Sequence, residues 1–538
     1  MTLANPFEPV RQGPGAAGGA WRIELALIVV PALAVFAFCL VDQSIWTDGD
    51  TNWHVATGRW ILAHRAVPPT DPFSYTAFGR PWVTHEWLSE VLMALAWAFW
   101  GWSGVILIMA AAAAGAMALL VAALRASLGV LSTTVAAALS FAILAPHFLA
   151  RPHVIALPLM VLWTARLLKA RRDDRAPPLW LLPVMTLWAN LHGSFIFGLV
   201  FACFFALEAF LAAGSRGAAA PTANHDRPVL GEASGSRRLG AFFTRKIGPF
   251  LSPAALLVAA QWGAFLIAAG VMAMITPNGM ADLTYPFYVM SMKNLRYISE
   301  WKAVSLVNPS ALELAFFFTL FVCLYRGLRM GAVRLGLLLM LLYMTFQHMR
   351  QEIVLAAAGP LLLAEPLGRA LTPRRTQDEP AAPWPPLRQI AAPMAAAALL
   401  FVALGVWRAA IPEIRKDRVA VPVTALAHVP AALSARPVFN DYSFGGWLVF
   451  KGVRPFIDGR SDMYGDDLLK LYLDAESGDN AAIAKAFRRY DIQWTILTPK
   501  SPLVAHLDVT PGWRRLYADK WAVVQVRDAP PSRSPPPP

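Results

Sequence analysis

The sequence predicts an α-helical polytopic membrane protein of about eleven spans with a small α/β domain on the extracytoplasmic side at its carboxyl end. Three observations predict it. Of the 538 residues 57% are hydrophobic and only 15% charged, and the apolar residues fall in runs near the ~20 residues that cross a bilayer core. Lys and Arg sit in short clusters between alternate runs, as the positive-inside rule asks of cytoplasmic loops. From residue 411 onward charged residues return at the density of a water-soluble domain.

The net charge of +13 does not point to nucleic acid, because the cations label loops instead of forming one basic face. Cys39, Cys203 and Cys323 all lie inside apolar runs, so neither a disulfide framework nor a metal-binding spacing can be read. The chain carries no G-x-x-x-x-G-K-[ST] loop and no dinucleotide fingerprint, which argues against a pump with its own nucleotide site.

Residues 1–20 are rich in Gly, Pro and Ala and read as a cytoplasmic tail. The apolar run 23–41 is longer than a signal-peptide core and lacks a small-residue cleavage site, so it is a retained anchor. The loop 42–102 follows on the outer side. Within it, helical spacing of Trp53, Ala56, Thr57, Trp60 and His64 predicts a helix over 51–64 lying in the interface, and 88–100 reads as a second surface helix. Further spans are expected at 103–124, 128–149, 153–169, 178–192, 194–213, 253–275, 309–325, 331–347, 351–368 and 390–410, all within the membrane part 21–410. Arg125, the 169–175 cluster, the 216–246 and 326–334 loops, Arg374 and Arg375 then fall on one side, placing the amino end in the cytoplasm and the carboxyl end outside. Loops 214–240 and 372–386 read as mobile linkers.

The outer domain is expected over 411–528, with a disordered Pro-rich tail over 529–538. Strands are predicted at 437–439, 447–450, 455–457, 494–498 and 521–526, and helices at 466–475 and 481–490. Asp458-Gly459-Arg460-Ser461-Asp462 reads as a turn with Arg460 in a local ion pair. A lid or acceptor-binding surface is its functional alternative.

The chemistry concentrates in residues 46–90. Asp48-Gly49-Asp50 lies where the first span leaves the membrane, and His54 falls one turn after Asp50 on the same helix face. Asp50 as a plain N-cap is the structural reading. The functional one is that two carboxylates two residues apart share a divalent cation or divide base and orienting roles. Asp71, His85 and Glu86 add support from the same loop, although His85-Glu86 lacks the second His of a zinc-protease helix. Other outward segments supply Arg151, His153, His192, Lys293, Arg296, Glu300, His348 and Arg350. Cations on the side that otherwise lacks them ask for an anionic partner, and a phosphate at headgroup level answers.

Trp46-Thr47-Asp48-Gly49-Asp50-Thr51-Asn52-Trp53-His54, Asp71-Pro72-Phe73-Ser74-Tyr75, His85-Glu86-Trp87-Leu88, Asn190-Leu191-His192-Gly193 and Ile298-Ser299-Glu300-Trp301 resemble positions in bacterial members of the GT-C glycosyltransferase superfamily. These relatives include protein O-mannosyltransferase-like and lipid A sugar transferase-like enzymes of the inner membrane. The resemblance implies a GT-C-like fold with an outward cavity, a sugar donor on a polyprenyl phosphate, and an extracytoplasmic glycan, lipid or protein as acceptor. It implies Asp48 or Asp50 as general base or metal-orienting group. A transporter or flippase of a lipid-linked saccharide, and a non-catalytic envelope assembly protein, are the other two classes open. Polar groups crowding at the ends of spans instead of mid-membrane favour the enzyme.

The charge alternation yields a topology prediction. Reporter fusions ending at Ala77 and at Asp474 both signal from the outer compartment, and a cytoplasmic signal from either contradicts the alternation.

Overall fold

The computed structural model describes residues 20–219, 248–298, 301–305, 307, 309–371 and 387–528. The 1–19 tail, most of the 214–240 loop, residues 372–386 and the 529–538 tail lie outside these.

Each of the eleven apolar runs is helical: α1 (Ala20–Val41), the second half of α3 (Trp87–Arg125), α4 (Val130–Leu144), α5 (Pro152–Arg172), α6 (Leu181–Leu191), α7 (Phe195–Ala219), α8 (Pro253–Ala273), α10 (Ala311–Tyr325), α11 (Ala332–Gln347), α12 (Glu352–Leu371) and α13 (Leu387–Ala410). Among the described residues eight helices are long and apolar enough to cross a membrane, while α6, α10 and α11 are shorter. The clearest solvent statement comes from α13: its most apolar window has no residue buried inside the protein. A bare apolar helix of that length needs lipid around it.

α3 is two helices in one. Non-helical backbone at Trp100 and Gly101 breaks it, so residues 87–99 form the separate helix the sequence predicts ahead of the span. That first half packs against α2 (Asp50–His64), and the crossing is close at Gly58, where a Cβ would stand 1.9 Å from the Glu90 carbonyl oxygen. His54 precedes Gly58 by one turn on the same face.

The charged segments at one end of the bundle tie to one another. Arg125 pairs with Glu24, Arg172 donates to the Ala126 carbonyl, and Arg216 forks onto Asp174 at 2.6 and 2.9 Å. All lie on the side the charge pattern marks, opposite the 42–86 segment.

The C-terminal part holds a four-stranded sheet of order β1-β2-β4-β3, built from β1 (Val438–Asn440), β2 (Trp494–Leu497), β3 (Trp513–Ala518) and β4 (Val523–Arg527). β1 and β2 run parallel, and the other pairs are antiparallel, with an irregularity between Arg515 and Tyr517. β1 and β2 are buried along their whole length, which is why they read as mostly apolar runs without alternation. Helices α17 (Ser461–Glu476) and α18 (Asn480–Arg489) cover one face with Leu468, Tyr472, Ile483 and Ala486, and their core also takes in Trp53, Ala77 and Trp82. The loop after α1 and the C-terminal part therefore share one hydrophobic core.

Two predicted strands are corrected. Residues 447–450 lie in helix α16 (Gly445–Phe450), because Trp447 and Leu448 bury there in two different clusters, and tertiary packing overrides the β propensity of an aromatic and branched run. Residues 455–457 form no strand and join no sheet. The backbone of Phe456 is satisfied by side chains, its N–H donating to Asn440 Oδ1 at 2.8 Å and its carbonyl accepting from Thr76 Oγ1 at 2.6 Å. β3 was not predicted, because its mostly exposed edge carries Arg514 and Arg515 in place of apolar alternation.

Arg460 locks the two parts together. It is 1% exposed, forks onto Asp458 at 2.8 and 2.6 Å, and reaches Asp71 at 2.7 Å. Tyr464 donates to Asp458 at 2.7 Å, and the guanidinium lies 4.7 Å from the Trp82 ring centroid and 5.2 Å from that of Phe73. The local pair matches the turn reading; the partner 389 residues away does not follow from it. Breaking a buried pair from one side costs about 3–5 kcal/mol. Arg460→Met is expected to lower the unfolding temperature and open the 42–86 segment to protease. Adding Asp71→Asn and Asp458→Asn to it removes the stranded charges and restores part of the loss.

Candidate active site

Asp48 and Asp50 converge on one guanidinium. Arg151 precedes Pro152, the first residue of α5, and is held extended at φ −130°, ψ 156°, as a residue before proline is. Its side chain turns back to Asp48 through Nε and Nη2, the latter at 2.7 Å, and to Asp50 Oδ2 at 2.9 Å. The neighbouring Ala150 N–H donates to the Ile45 carbonyl at 3.2 Å. Asp48 Oδ1 also accepts the Asp50 N–H at 3.1 Å. Gly49, not Asp50, is the N-cap of α2. Arg151, expected on a donor phosphate, is thus committed to the aspartates. Where a shared divalent cation would sit the pair holds an arginine, and among the described residues no group of three or more His, Cys, Asp or Glu is placed for a metal. The arrangement does not fit a metal at Asp48 and Asp50.

Gly459 closes over Asp50 from the C-terminal part. A Cβ there would lie 1.8 Å from Asp50 Oδ1, so a larger residue would push the Asp50 carboxylate out of this position. The residue beside Arg460 therefore helps to place the carboxylate.

A second carboxylate lies among histidines. Trp87 Nε1 donates to Asn190 Oδ1 at 2.7 Å and Ser89 to the Leu191 carbonyl at 2.7 Å, which brings the start of α3 to the break between α6 and α7. Glu86 Oε1 then stands 3.2 Å from His192 Nε2 and 3.6 Å from His85 Nε2, while Oε2 is 3.8 Å from His54 Nε2. His192 Nδ1 accepts the Ser194 backbone N–H at 3.0 Å, so its proton is on Nε2 and points at Glu86. His54 Nδ1 meets buried Glu90 Oε1 at 3.2 Å. Burial pushes the Glu86 carboxyl above its usual range, against the pull of His85, Arg350 and Arg151. Burial holds His54 well below 6.5, aided by Arg151, and does the same to His192, aided by His153.

The remaining expected residues divide. His153 bonds the His147 carbonyl at 2.8 Å with its ring 6.1 Å from that of His192. Arg350 stacks 4.5 Å from the Trp301 ring centroid and acts electrostatically on Glu86 and His192. His348 meets the Trp301 carbonyl at 2.9 Å. Lys293 is exposed and gives its backbone N–H to Asp466, so that loop is pinned to α17 and not to the aspartates. Asp71 serves Arg460 and caps Ser74. The side chain of Arg296, and Glu300, lie outside the described residues.

Several residues carry no sequence signal of a site. Arg415 is 8% exposed, lies between the Trp46 and Trp102 rings at 4.5 and 5.0 Å, and reaches Asn52 Oδ1 at 3.3 Å. Burial brings its guanidinium down to about 10. Tyr285 lies against the His85 ring at 4.4 Å, its hydroxyl held well above the usual range by burial and then by Asp462. The acidic turn 458–462 was the one available pointer to Asp462.

No family model matches the chain, and no curated protein matches it. Among solved structures, the Archaeoglobus fulgidus oligosaccharyltransferase in its apo form is 14% identical, aligned over 88% of this chain and 69% of its own, with a TM-score of 0.49. ArnT from Cupriavidus metallidurans is 12% identical in two states: apo, over 95% and 98% of the chains at 0.31, and bound to undecaprenyl phosphate, over 94% and 98% at 0.29. Overlaps of this size assign no activity to this chain.

The buried groups set a pH dependence. Folded His54 and His192 refuse a proton that the unfolded chain accepts below about 6.5, so their contribution to stability is whole above that value and is lost as pH falls toward their folded values. Glu86, raised, works oppositely: its contribution is present at low pH and is lost as pH rises through its folded value. In unfolding temperatures read by tryptophan fluorescence from pH 7.5 to 5, His192→Gln is expected to shrink the acid-side loss and Glu86→Gln to enlarge it.

Proposed function

We propose that this chain is a membrane glycosyltransferase of the GT-C type that moves a sugar from a polyprenyl-phosphate donor to an acceptor hydroxyl at the end of the bundle where Asp50 lies. The observation that carries the reading is the convergence there of Asp48 and Asp50 on Arg151, closed over by Gly459, with Glu86, the histidines and Arg350 arriving from separate segments. Ionisable groups at the ends of membrane helices are costly and are kept where they bind or react.

Asp50 is the base in this reading. Both oxygens of Asp48 are occupied by Arg151, and one also by the Asp50 N–H, whereas Asp50 is more exposed, at 20% against 9%. Asp50 takes the proton of the acceptor hydroxyl as its oxygen bonds the anomeric carbon. The bond from that carbon to the phosphate oxygen breaks, and the electron pair leaves with the polyprenyl phosphate. Arg151 and Asp48 hold the base in place. His54 is a positioning residue, being 3% exposed and packed against Glu90. Arg350, which stacks on Trp301 and acts electrostatically on His192 and Glu86, is the cation best placed to steady the departing phosphate.

Transfer of labelled sugar from polyprenyl phosphate by the purified, detergent-solubilised protein is the test. Asp50→Asn keeps the size of the side chain and is expected to lower the rate about 10²–10⁴-fold with folding intact. Arg350→Ala weakens use of the donor more than it slows a saturated reaction. Undiminished transfer by Asp50→Asn rules out the assigned base. Absence of transfer from a broad donor panel turns the reading toward transport or assembly.

A further inference from the structure

The end of the bundle opposite Asp50 carries a cavity of about 220 Å3 between α7, the turn that joins α10 to α11, and α12. Its polar lining is Arg329, Arg334, Arg369, Glu208 and Glu365. Arg334, 11% exposed, is shared between Glu208 at 2.9 Å and Glu365 at 2.6 Å, and its Nη2 belongs to neither pair. Arg369 also pairs with Glu365. Arg171, only 7% exposed, stands 3.7 Å from Asp174 and 3.8 Å from Glu208, and its Nε has no hydrogen-bond partner. Arg329 is exposed and enters no ion pair among the described residues. Three arginines thus line the cavity with two carboxylates, Arg171 stands behind Glu208, and donors remain on at least three of the four arginines.

A surplus of guanidinium groups around a space repels itself unless an anion fills it, and buried unpaired donors carry a desolvation cost of their own. The cavity opens where α10 ends and α11 begins, at Arg329 and Gly331, the depth at which lipid headgroups lie. Arginine forks match phosphate oxygens. We propose that this cavity is a phosphate-binding site, separate from the Asp50 site, which takes the headgroup phosphate of an anionic membrane lipid and so ties α7, α11 and α12 together. A dissolved phosphate has the same chemistry, and the experiment separates the two sources.

The full-length protein in detergent is titrated with dioctanoyl phosphatidylglycerol, dioctanoyl phosphatidylcholine and inorganic phosphate, reading the unfolding temperature by tryptophan fluorescence. Phosphatidylglycerol is expected to raise it saturably and phosphatidylcholine not at all. Arg329→Ala, which breaks no ion pair among the described residues, shifts the phosphatidylglycerol midpoint about fivefold, and Arg329→Ala with Arg369→Ala shifts it further. A saturable effect of inorganic phosphate that weakens in the same variants upholds the site and makes its ligand a dissolved anion. Equal response to the two lipids, or titrations unchanged in Arg329→Ala, overturns the proposal.

Discussion

A single buried cation, Arg460, fixes how the C-terminal part meets the segment after α1. A guanidinium at 1% exposure has no water to fall back on, so Asp71 from one part and Asp458 from the other must both be in place. The Phe73 and Trp82 rings against it exclude solvent and make that requirement stricter. Neither part can slide along the other without leaving a charge unpaired. Gly459 is the next residue, and its backbone sets one wall of the Asp50 carboxylate. The lock and the residue that walls the proposed base are adjacent in the chain, which ties the geometry of the site to the docking of the two parts.

The two groups of carboxylates live in different surroundings. Asp48 and Asp50 share an arginine, whereas Glu86 stands among the rings of His54, His85 and His192, of which burial holds His54 and His192 well below their usual range. Distinct environments for neighbouring carboxyls are how proteins divide proton-accepting from proton-holding roles. The hydrogen bonds of Trp87 and Ser89 to the end of α6 keep the second group in register with the first.

The two ends of the bundle use charge differently. At the Asp50 end carboxylates and cations interlock across segments far apart in sequence. At the other, arginines outnumber acids around a cavity. The first pattern suits a site where charge develops and is discharged, the second a standing anion.

The sequence by itself determined the solvent and the periodic elements. Runs such as 103–124 and 390–410 are apolar on every side, and only helices satisfy the backbone in lipid, so their state follows from local composition. The separation of 88–100 from the span that follows was read from the sequence, while the kink itself, at Trp100 and Gly101, came from the structure. The gathering of titratable groups in 46–90 was legible as a density, and the strands at β2 and β4 as apolar alternation or continuity. Only the tertiary structure decided that Trp447 to Phe450 coil instead of extending, that Arg151 serves Asp48 and Asp50, that Glu86 sits among His54, His85 and His192, and that Arg460 answers to Asp71. The physical reason is range. Hydropathy and periodicity report on a residue's neighbours in the chain, while a buried ion pair across 389 residues is chosen by the packing that brings the two segments together and leaves no mark on the residues beside either partner.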